Sequence, residues 1–321
     1  MNLAVLPGET GRVKPMPMPM PPAPRGQNVL LRMVHAPINP ADLLAIDGRY
    51  SFTLPPDDPL GAEGSAVVEA VGDEVADLRP GDRVLPLSRG NWCRHRLVPR
   101  RHLIALPADA DPVQAAMWRI NPPTAHLLLR DAGVCAGDAI IQNGAGSAVA
   151  RWVRAFAAPI GVRVIDIVRR ADPALPDALI DGEALAERVR DAAGGRPVRA
   201  ALDCVAGTAS GRMAQCLSPG GRLIVFGHLS GEPLTVRSQL LTGGGLSIAG
   251  FSLRPAEQAL GGGADAVRRP AGDAARPTGR PADTGDRAAV PRGGGDHPCA
   301  RGQGCGRGSR AVRPVGMISA M

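Results

Sequence analysis

Residues Ala139 to Arg170 read AIIQNGAGSAVARWVRAFAAPIGVRVIDIVRR. A short apolar run, Ala139 to Gln142, meets a glycine turn at Gly144 and Gly146. Helix-compatible residues follow, then Gly161, then a β-branched run from Val162 to Val168. This order predicts a strand–turn–helix–strand unit of the length that binds a dinucleotide. The first glycine permits the tight turn, and the second lets backbone approach a pyrophosphate. Val149 and Ala150 occupy the region of a third glycine, whose part is close helix–strand packing, and a small Ala150 serves there. The amino terminus of the helix offers N–H groups and a positive dipole end to phosphates. The alternative is an ordinary βαβ connection that carries no nucleotide.

The choice of dinucleotide turns on the tip of the second strand. An acid about 20 residues beyond the glycines would nominate Asp166 and hence NAD. Asp166 lies inside the apolar run, however, with Ile167 and Val168 after it, and the tip belongs to Arg169 and Arg170. A carboxylate repels a 2′-phosphate, whereas a guanidinium binds it through two parallel hydrogen bonds. The reading is therefore NADP. The competing role for the arginine pair is a solvated turn in an arginine-rich chain.

The chain has 321 residues, which suggests about two domains. Of its 37 cationic residues only Lys14 is a lysine, and glycine and proline are abundant. That mixture is the mark of a GC-rich coding sequence, so the net charge of +7 is weak evidence for nucleic acid. No apolar run of about 18 residues suggests a membrane span, and the amino terminus lacks a charged n-region and a cleavage site. Six cysteines, Cys93, Cys135, Cys204, Cys216, Cys299 and Cys305, show no framework spacing, and reduced thiols in a cytoplasm fit them best.

Four segments are expected. Residues 1–27 hold an amino-terminal strand and a Pro/Met-rich connector, with PMPMPMPPAP (15–24) extended and solvated. Residues 28–120 alternate valine-rich runs with Gly-Asp turns and read as a small antiparallel barrel or sandwich. Residues 121–261 alternate strands and helices, which argues for a doubly wound parallel sheet. Strand candidates there include Arg199–Ala206, Arg222–His228 and Ser247–Leu253. Residues 262–321 form a low-complexity Arg/Gly/Pro tail with ten arginines against five aspartates, no aromatic residue and no apolar period. Such a segment cannot bury a core and is expected to be disordered. An arginine/glycine tail, a natural linker and an altered reading frame all produce this text, and the last is preferred.

Several motifs in order resemble the medium-chain dehydrogenase/reductase superfamily. They are Ile38–Leu43 (INPADL), Asp47–Tyr50 (DGRY), Gly61–Gly72 (GAEGSAVVEAVG), Leu78–Val84 (LRPGDRV), Asn121–Ala125 (NPPTA), Gln142–Ala150 (QNGAGSAVA), Pro219–Gly227 (PGGRLIVFG) and Gly250–Leu253 (GFSL). The resemblance is strongest to the zinc-independent branch of quinone oxidoreductases and 2-enoyl thioester reductases. It implies a GroES-like barrel followed by a Rossmann sheet. Zinc members carry a Cys before the Asp-rich turn and a His in G-H-E. Here those places read Asn39-Pro40-Ala41-Asp42 and Gly61-Ala62-Glu63, and Cys93, His95 and His102 make no tetrahedral set. No metal is expected.

The resemblance also implies site residues. Tyr50 matches a catalytic tyrosine of the reductases. A phenol of pKa about 10 is protonated at neutral pH and can donate a hydrogen bond or a proton. Asn121 and Thr124 resemble residues near the nicotinamide. Gly144, Gly146, Ser147, Ala148 and Val149 match the pyrophosphate turn. Phe226, Gly227, His228 and Leu229 match the loop that closes over the nicotinamide, as do Phe251 and Leu253. Trp92 fits a G-x-W segment of the reductases, while Ser252 stands where they often have tryptophan. Glu63 is expected to orient local backbone. The expected activity is NADPH-dependent reduction of the C=C bond of 2-enoyl thioesters or related conjugated carbonyls, with a small-molecule substrate and a homodimer. An NADPH:quinone oxidoreductase is the alternative on the same fold, and an inactive remnant the alternative of another class. The departure from the family is the tail, where nothing after Leu260 matches its usual ending.

Overall fold

A computed structural model describes residues 2–9, 11–49 and 55–259, together with the backbone of 317–319. The chain opens with an antiparallel hairpin of β1 (Asn2–Pro7) and β2 (Val13–Met18). This corrects the solvated connector, whose first residues are a strand. Pro15 and Pro17 recur every second residue, so both missing N–H groups fall on one side of β2, which among the described residues pairs only with β1. Met16 and Met18 turn inward against the barrel core.

The barrel sheet follows. It contains β3 (Asn28–Pro37), β4 (Ser65–Val71), β5 (Arg83–Pro86), β6 (His95–Pro99) and β7 (Leu103–Ala105). Strands β3, β4, β5 and β7 lie in that order, and β6 pairs with the start of β3. Alternating inward residues, among them Val29, Leu31, Met33, Val68, Val84 and Val98, fill its core. Short helices α1 (Pro40–Ile46) and α2 (Pro112–Ala115) decorate it.

Helix α3 (Asn121–Ala132) leads into the second domain. A parallel sheet of six strands has the order β10 (Leu179–Ile180), β9 (Arg163–Val168), β8 (Ala139–Gln142), β11 (Val198–Asp203), β12 (Arg222–Val225), β13 (Ser247–Gly250). Helix α4 (Ala148–Ala157) joins β8 to β9, α5 (Leu185–Ala193) joins β10 to β11, and α6 (Thr208–Gln215) joins β11 to β12. Helices α7 (Ser238–Thr242) and α8 (Leu253–Ala259) flank β13. The two faces of β8 feed separate cores. Ile141 packs with Ile165, Val189 and Met213, and Ile140 with Leu128, Val153 and Ile224. Continuous burial of Ala139–Gln142 follows from helices on both sides.

Helix α4 is shorter than its helix-compatible stretch. Ala158 keeps helical backbone angles, but Pro159 has no N–H to extend the ladder, and the chain turns at Gly161 to enter β9. Leu253, expected to end a strand, instead opens α8. Most of the expected disordered tail falls outside the described residues. Its Met317–Ser319 forms a strand, β14, antiparallel to Pro37, Ala36 and His35 of β3, so these three residues belong to the barrel sheet. Backbone pairing to an open strand needs no apolar period, which is why composition did not show it. Among the described residues no helix is long and apolar enough to cross a membrane. Cys93, Cys204 and Cys216 are free and buried. Cys135 departs from the expected reduced state and is disulfide-bonded, a pairing of which the scattered cysteine spacing carries no sign.

Candidate active site

The order of the parallel sheet reverses between β8 and β11, and ligands of such sheets bind at the carboxyl ends of the strands flanking that point. The glycine turn lies there. Gly144 has φ +58°, a left-handed conformation, and a side chain on it would strike Cys204 Sγ. Gly146 is exposed, and a Cβ there would meet nothing within 4 Å. Ser147 caps α4, its hydroxyl accepting from the Ala150 N–H at 3.2 Å. Ala148 and Val149 form the first turn of α4, with Val149 half-buried against the sheet.

A buried network secures this turn. Asn143 Nδ2 donates to Asp203 Oδ1 at 2.5 Å, and Asn143 Oδ1 accepts from the Cys204 N–H at 2.8 Å. Asp203 also accepts from the N–H groups of Val205 and Ala206 at 2.8 and 3.0 Å, and from the Ser210 hydroxyl. Its carboxylate is fully buried at the end of β11. It ties the glycine turn, the loop after β11 and the start of α6 into one body. Asn143, Asp203 and Ser210 were not among the expected site residues. Their polarity beside apolar strand ends was the available signal.

The loop after β12 rests on that same body. Phe226 N–H donates to Asp203 O at 2.8 Å, Leu229 N–H to Cys204 O at 3.1 Å and Ser230 N–H to Val205 O at 2.9 Å. A Cβ on Gly227 would stand 2.7 Å from Cys204 O, so only glycine lets the two loops touch. His228 and Leu229 are both exposed. Phe251, at the carboxyl end of β13, donates its N–H to Val225 O at 2.8 Å and packs with Phe226 on the same core face. Arg169 and Arg170 are exposed just beyond β9. The turn residues, the Phe226–Leu229 loop, Phe251, Leu253 and the arginine pair thus share the carboxyl edge of the sheet.

Asp166 is engaged within the fold. Arg154 Nη1 and Gln142 Nε2 each donate to its Oδ1 at 2.7 Å. Burial pushes its carboxyl up, against the opposing pull of Arg154.

On the barrel side, Glu63 joins the domains. Asn39 Nδ2 and Asn121 Nδ2 donate to its Oε1 at 3.2 and 3.3 Å, and the Ile120 N–H to Oε2 at 2.9 Å. Its carboxyl is fully buried, and burial pushes its pKa up to about 8. The expected orienting role is what these bonds describe. Asn121 also donates to Met117 O at 3.0 Å, so its amide N–H groups serve this joint. Thr124, one turn along α3, is buried. Asp42 closes the start of α1 by accepting from the Asn39 N–H, and Arg89 contacts it at 3.1 Å. The Asn-Pro-x-Asp motif is therefore a capping box in the wall of the cleft. Trp92 is buried over Gly61, its Nε1–H donating to Pro37 O at 3.2 Å. A second tie crosses the domains, Arg119 holding Glu257 of α8 at 2.7 and 3.0 Å and Leu87 O at 3.0 Å.

Tyr50 lies outside the described residues. Its neighbour Arg49 brings Nη2 within 2.9 Å of the Cβ position of Gly231, in the loop that follows β12. The former zinc candidates have separate partners. Cys93 faces Gly90 O, His95 faces Glu69, and His102 accepts from Arg101. Among the described residues no group of three or more His, Cys, Asp or Glu could hold a metal ion.

Comparison with known proteins agrees with this architecture. Residues 25–108 match the alcohol dehydrogenase GroES-like domain. The human mitochondrial enoyl-[acyl-carrier-protein] reductase is 35% identical over 263 residues, covering 77% of this chain and 70% of that protein. The Caenorhabditis elegans protein of the same name is 32% identical over 241 residues, covering 71% and 69%. The solved complex of Etr1p with NADP and crotonyl-CoA superposes with a TM-score of 0.72 at 23% identity, covering 85% of this chain and 86% of that one. Escherichia coli quinone oxidoreductase complexed with NADPH gives 0.72 at 22% identity, covering 86% and 87%. A GroES-like barrel on a six-stranded Rossmann sheet defines the class. The chain belongs to the medium-chain dehydrogenase/reductase superfamily, in its branch of enoyl thioester reductases and quinone oxidoreductases.

Proposed function

We propose that this protein reduces the C=C bond of 2-enoyl thioesters, or of related conjugated carbonyls, with NADPH. The glycine turn carries the reading. Gly144 to Ser147 present backbone with open space over Gly146 at the switch point of the sheet, at the start of a capped helix. The human relative is named an enoyl-[acyl-carrier-protein] reductase, and Etr1p was solved with NADP and crotonyl-CoA.

The residues present fit NADP better than NAD. Asp166 is engaged by Arg154 and Gln142, and Arg169 and Arg170 stand exposed at the strand tip to take a 2′-phosphate. Gly144, Gly146, Ser147, Ala148 and Val149 would hold the pyrophosphate. Asn121, Thr124, Phe226, Gly227, His228, Leu229, Phe251 and Leu253 would line the nicotinamide end. NADPH, when bound, supplies the hydride for the β-carbon of the conjugated substrate. Tyr50 is the proposed acid, its phenol donating to the enolate-like oxygen or the α-carbon. Support comes from Arg49, which touches the loop after β12.

The segments 1–27, 28–120, 121–261 and 262–321 serve as hairpin, catalytic domain, cofactor domain and tail. A homodimer is proposed on β13, which among the described residues pairs only with β12 and leaves Ile248 37% exposed. The cytoplasm is proposed on the free thiols Cys93, Cys204 and Cys216, with the Cys135 disulfide as the contrary observation.

A quinone oxidoreductase is the second reading, favoured by the likeness to the E. coli enzyme. The test is NADPH oxidation by the full chain with crotonyl-CoA and with benzoquinone. Turnover of crotonyl-CoA is expected, and reduction of quinone alone overturns the first reading. Turnover of either substrate excludes the inactive remnant, and saturable NADPH binding by fluorescence counts against it.

A further inference from the structure

We propose that Arg154 is a positioning residue for the phosphate-binding turn, aiming the Gly146 N–H at the dinucleotide from beneath. The inference rests on the cofactor reading above and goes beyond it to a residue that does not touch the ligand.

Arg154 is 1% exposed on the inner side of α4. Its Nη1 and Nη2 both donate to Ala145 O, at 3.2 and 3.1 Å. Nη1 also meets Asp166 Oδ1 at 2.7 Å. The peptide between Ala145 and Gly146 is trans, so its carbonyl and its N–H point to opposite sides. A guanidinium drawing the carbonyl inward therefore turns the Gly146 N–H outward. Gly146 is the exposed member of the turn, and its N–H has no backbone acceptor among the described residues. A free, outward N–H at the start of a helix is what a pyrophosphate needs.

The chemistry requires arginine. A buried cation is costly without a counter-charge, and Asp166 provides it, steadied by Gln142. The planar fork spans a carbonyl and a carboxylate together, which the point charge of lysine does not. Asp166, the residue that spacing nominated as ribose reader, is on this account the counter-ion of a turn-positioning arginine.

The test uses the full chain and the charge-balanced double variant Arg154→Met/Asp166→Asn, which leaves no lone buried charge, beside Arg154→Lys and Asp166→Asn. NADPH binding is read by fluorescence, and adenosine 2′-monophosphate, which lacks the pyrophosphate, by calorimetry. The double variant is expected to weaken NADPH about tenfold or more, with adenosine 2′-monophosphate within about twofold and the KM for crotonyl-CoA unchanged. Arg154→Lys recovers part of the loss, and Asp166→Asn alone costs less than the double variant. Equal weakening of both nucleotides, or no weakening of NADPH, overturns the inference. If the unaltered chain fails to bind NADPH, the cofactor reading falls first, and that outcome is distinct from any change between variants.

Discussion

The two walls of the cleft are fastened by different chemistry. On the sheet side, Asp203 and Asp166 hold the glycine turn, one accepting from several backbone and side-chain donors, the other paired with a guanidinium. On the barrel side, Glu63 holds the domain joint through two side-chain amides and one backbone N–H, without a cation in direct contact. Burial pushes the Glu63 carboxyl up to about 8. The barrel side is held by a group that prefers to keep its proton.

The largest effect should come from the sheet side. Asp203→Ala leaves Asn143, Ser210 and two N–H groups without their buried acceptor. Urea unfolding should show a loss of about 3–5 kcal/mol. A loss below about 1 kcal/mol would break the claim that this wall depends on its buried acid.

The next effect belongs to the barrel side and appears as pH dependence. The unfolded chain releases the Glu63 proton near 4.5, whereas the fold retains it to about 8. Between these values the unfolded state binds fewer protons. Stability from this group is complete below about 4.5 and is lost as pH rises through about 8. Glu63→Gln, which keeps the neutral shape, should flatten the fall of Tm across that window. An unchanged slope would mean that the joint does not titrate.

The smallest effect in energy is the most specific. Tyr50→Phe should lower turnover about tenfold, close to 1.4 kcal/mol in the barrier, while NADPH affinity stays as it was. Steady-state kinetics beside a binding titration check this. A change in affinity with turnover intact would move Tyr50 from the barrel side's chemistry to the sheet side's binding.

Local pattern carried much of this molecule. The alternation of glycine turn, helix and β-branched run marked β8, α4 and β9, and for β8 burial on both faces demands continuous apolar text. Gly144 was readable as a turn residue from its neighbours, and the structure adds the reason, a left-handed φ pressed against Cys204. The proline-methionine run was misjudged, since a strand that pairs on one side tolerates alternating prolines. Arg154 was invisible. On a helix in an arginine-rich chain it looks like any solvated cation, and only the arrival of Asp166 on the next strand makes it a buried partner. Asp203 was hidden in the same way, because its donors come from residues up to 60 positions away.

The sequence by itself determined the two-domain order, the glycine turn and the arginine-tipped strand, because each depends on neighbours a few residues apart. Tertiary structure decided what the buried charges do. It paired Asp166 with Arg154, and it set Glu63 between two domains. The energy of a buried charge depends on what surrounds it in space, and spacing along a chain does not record those surroundings.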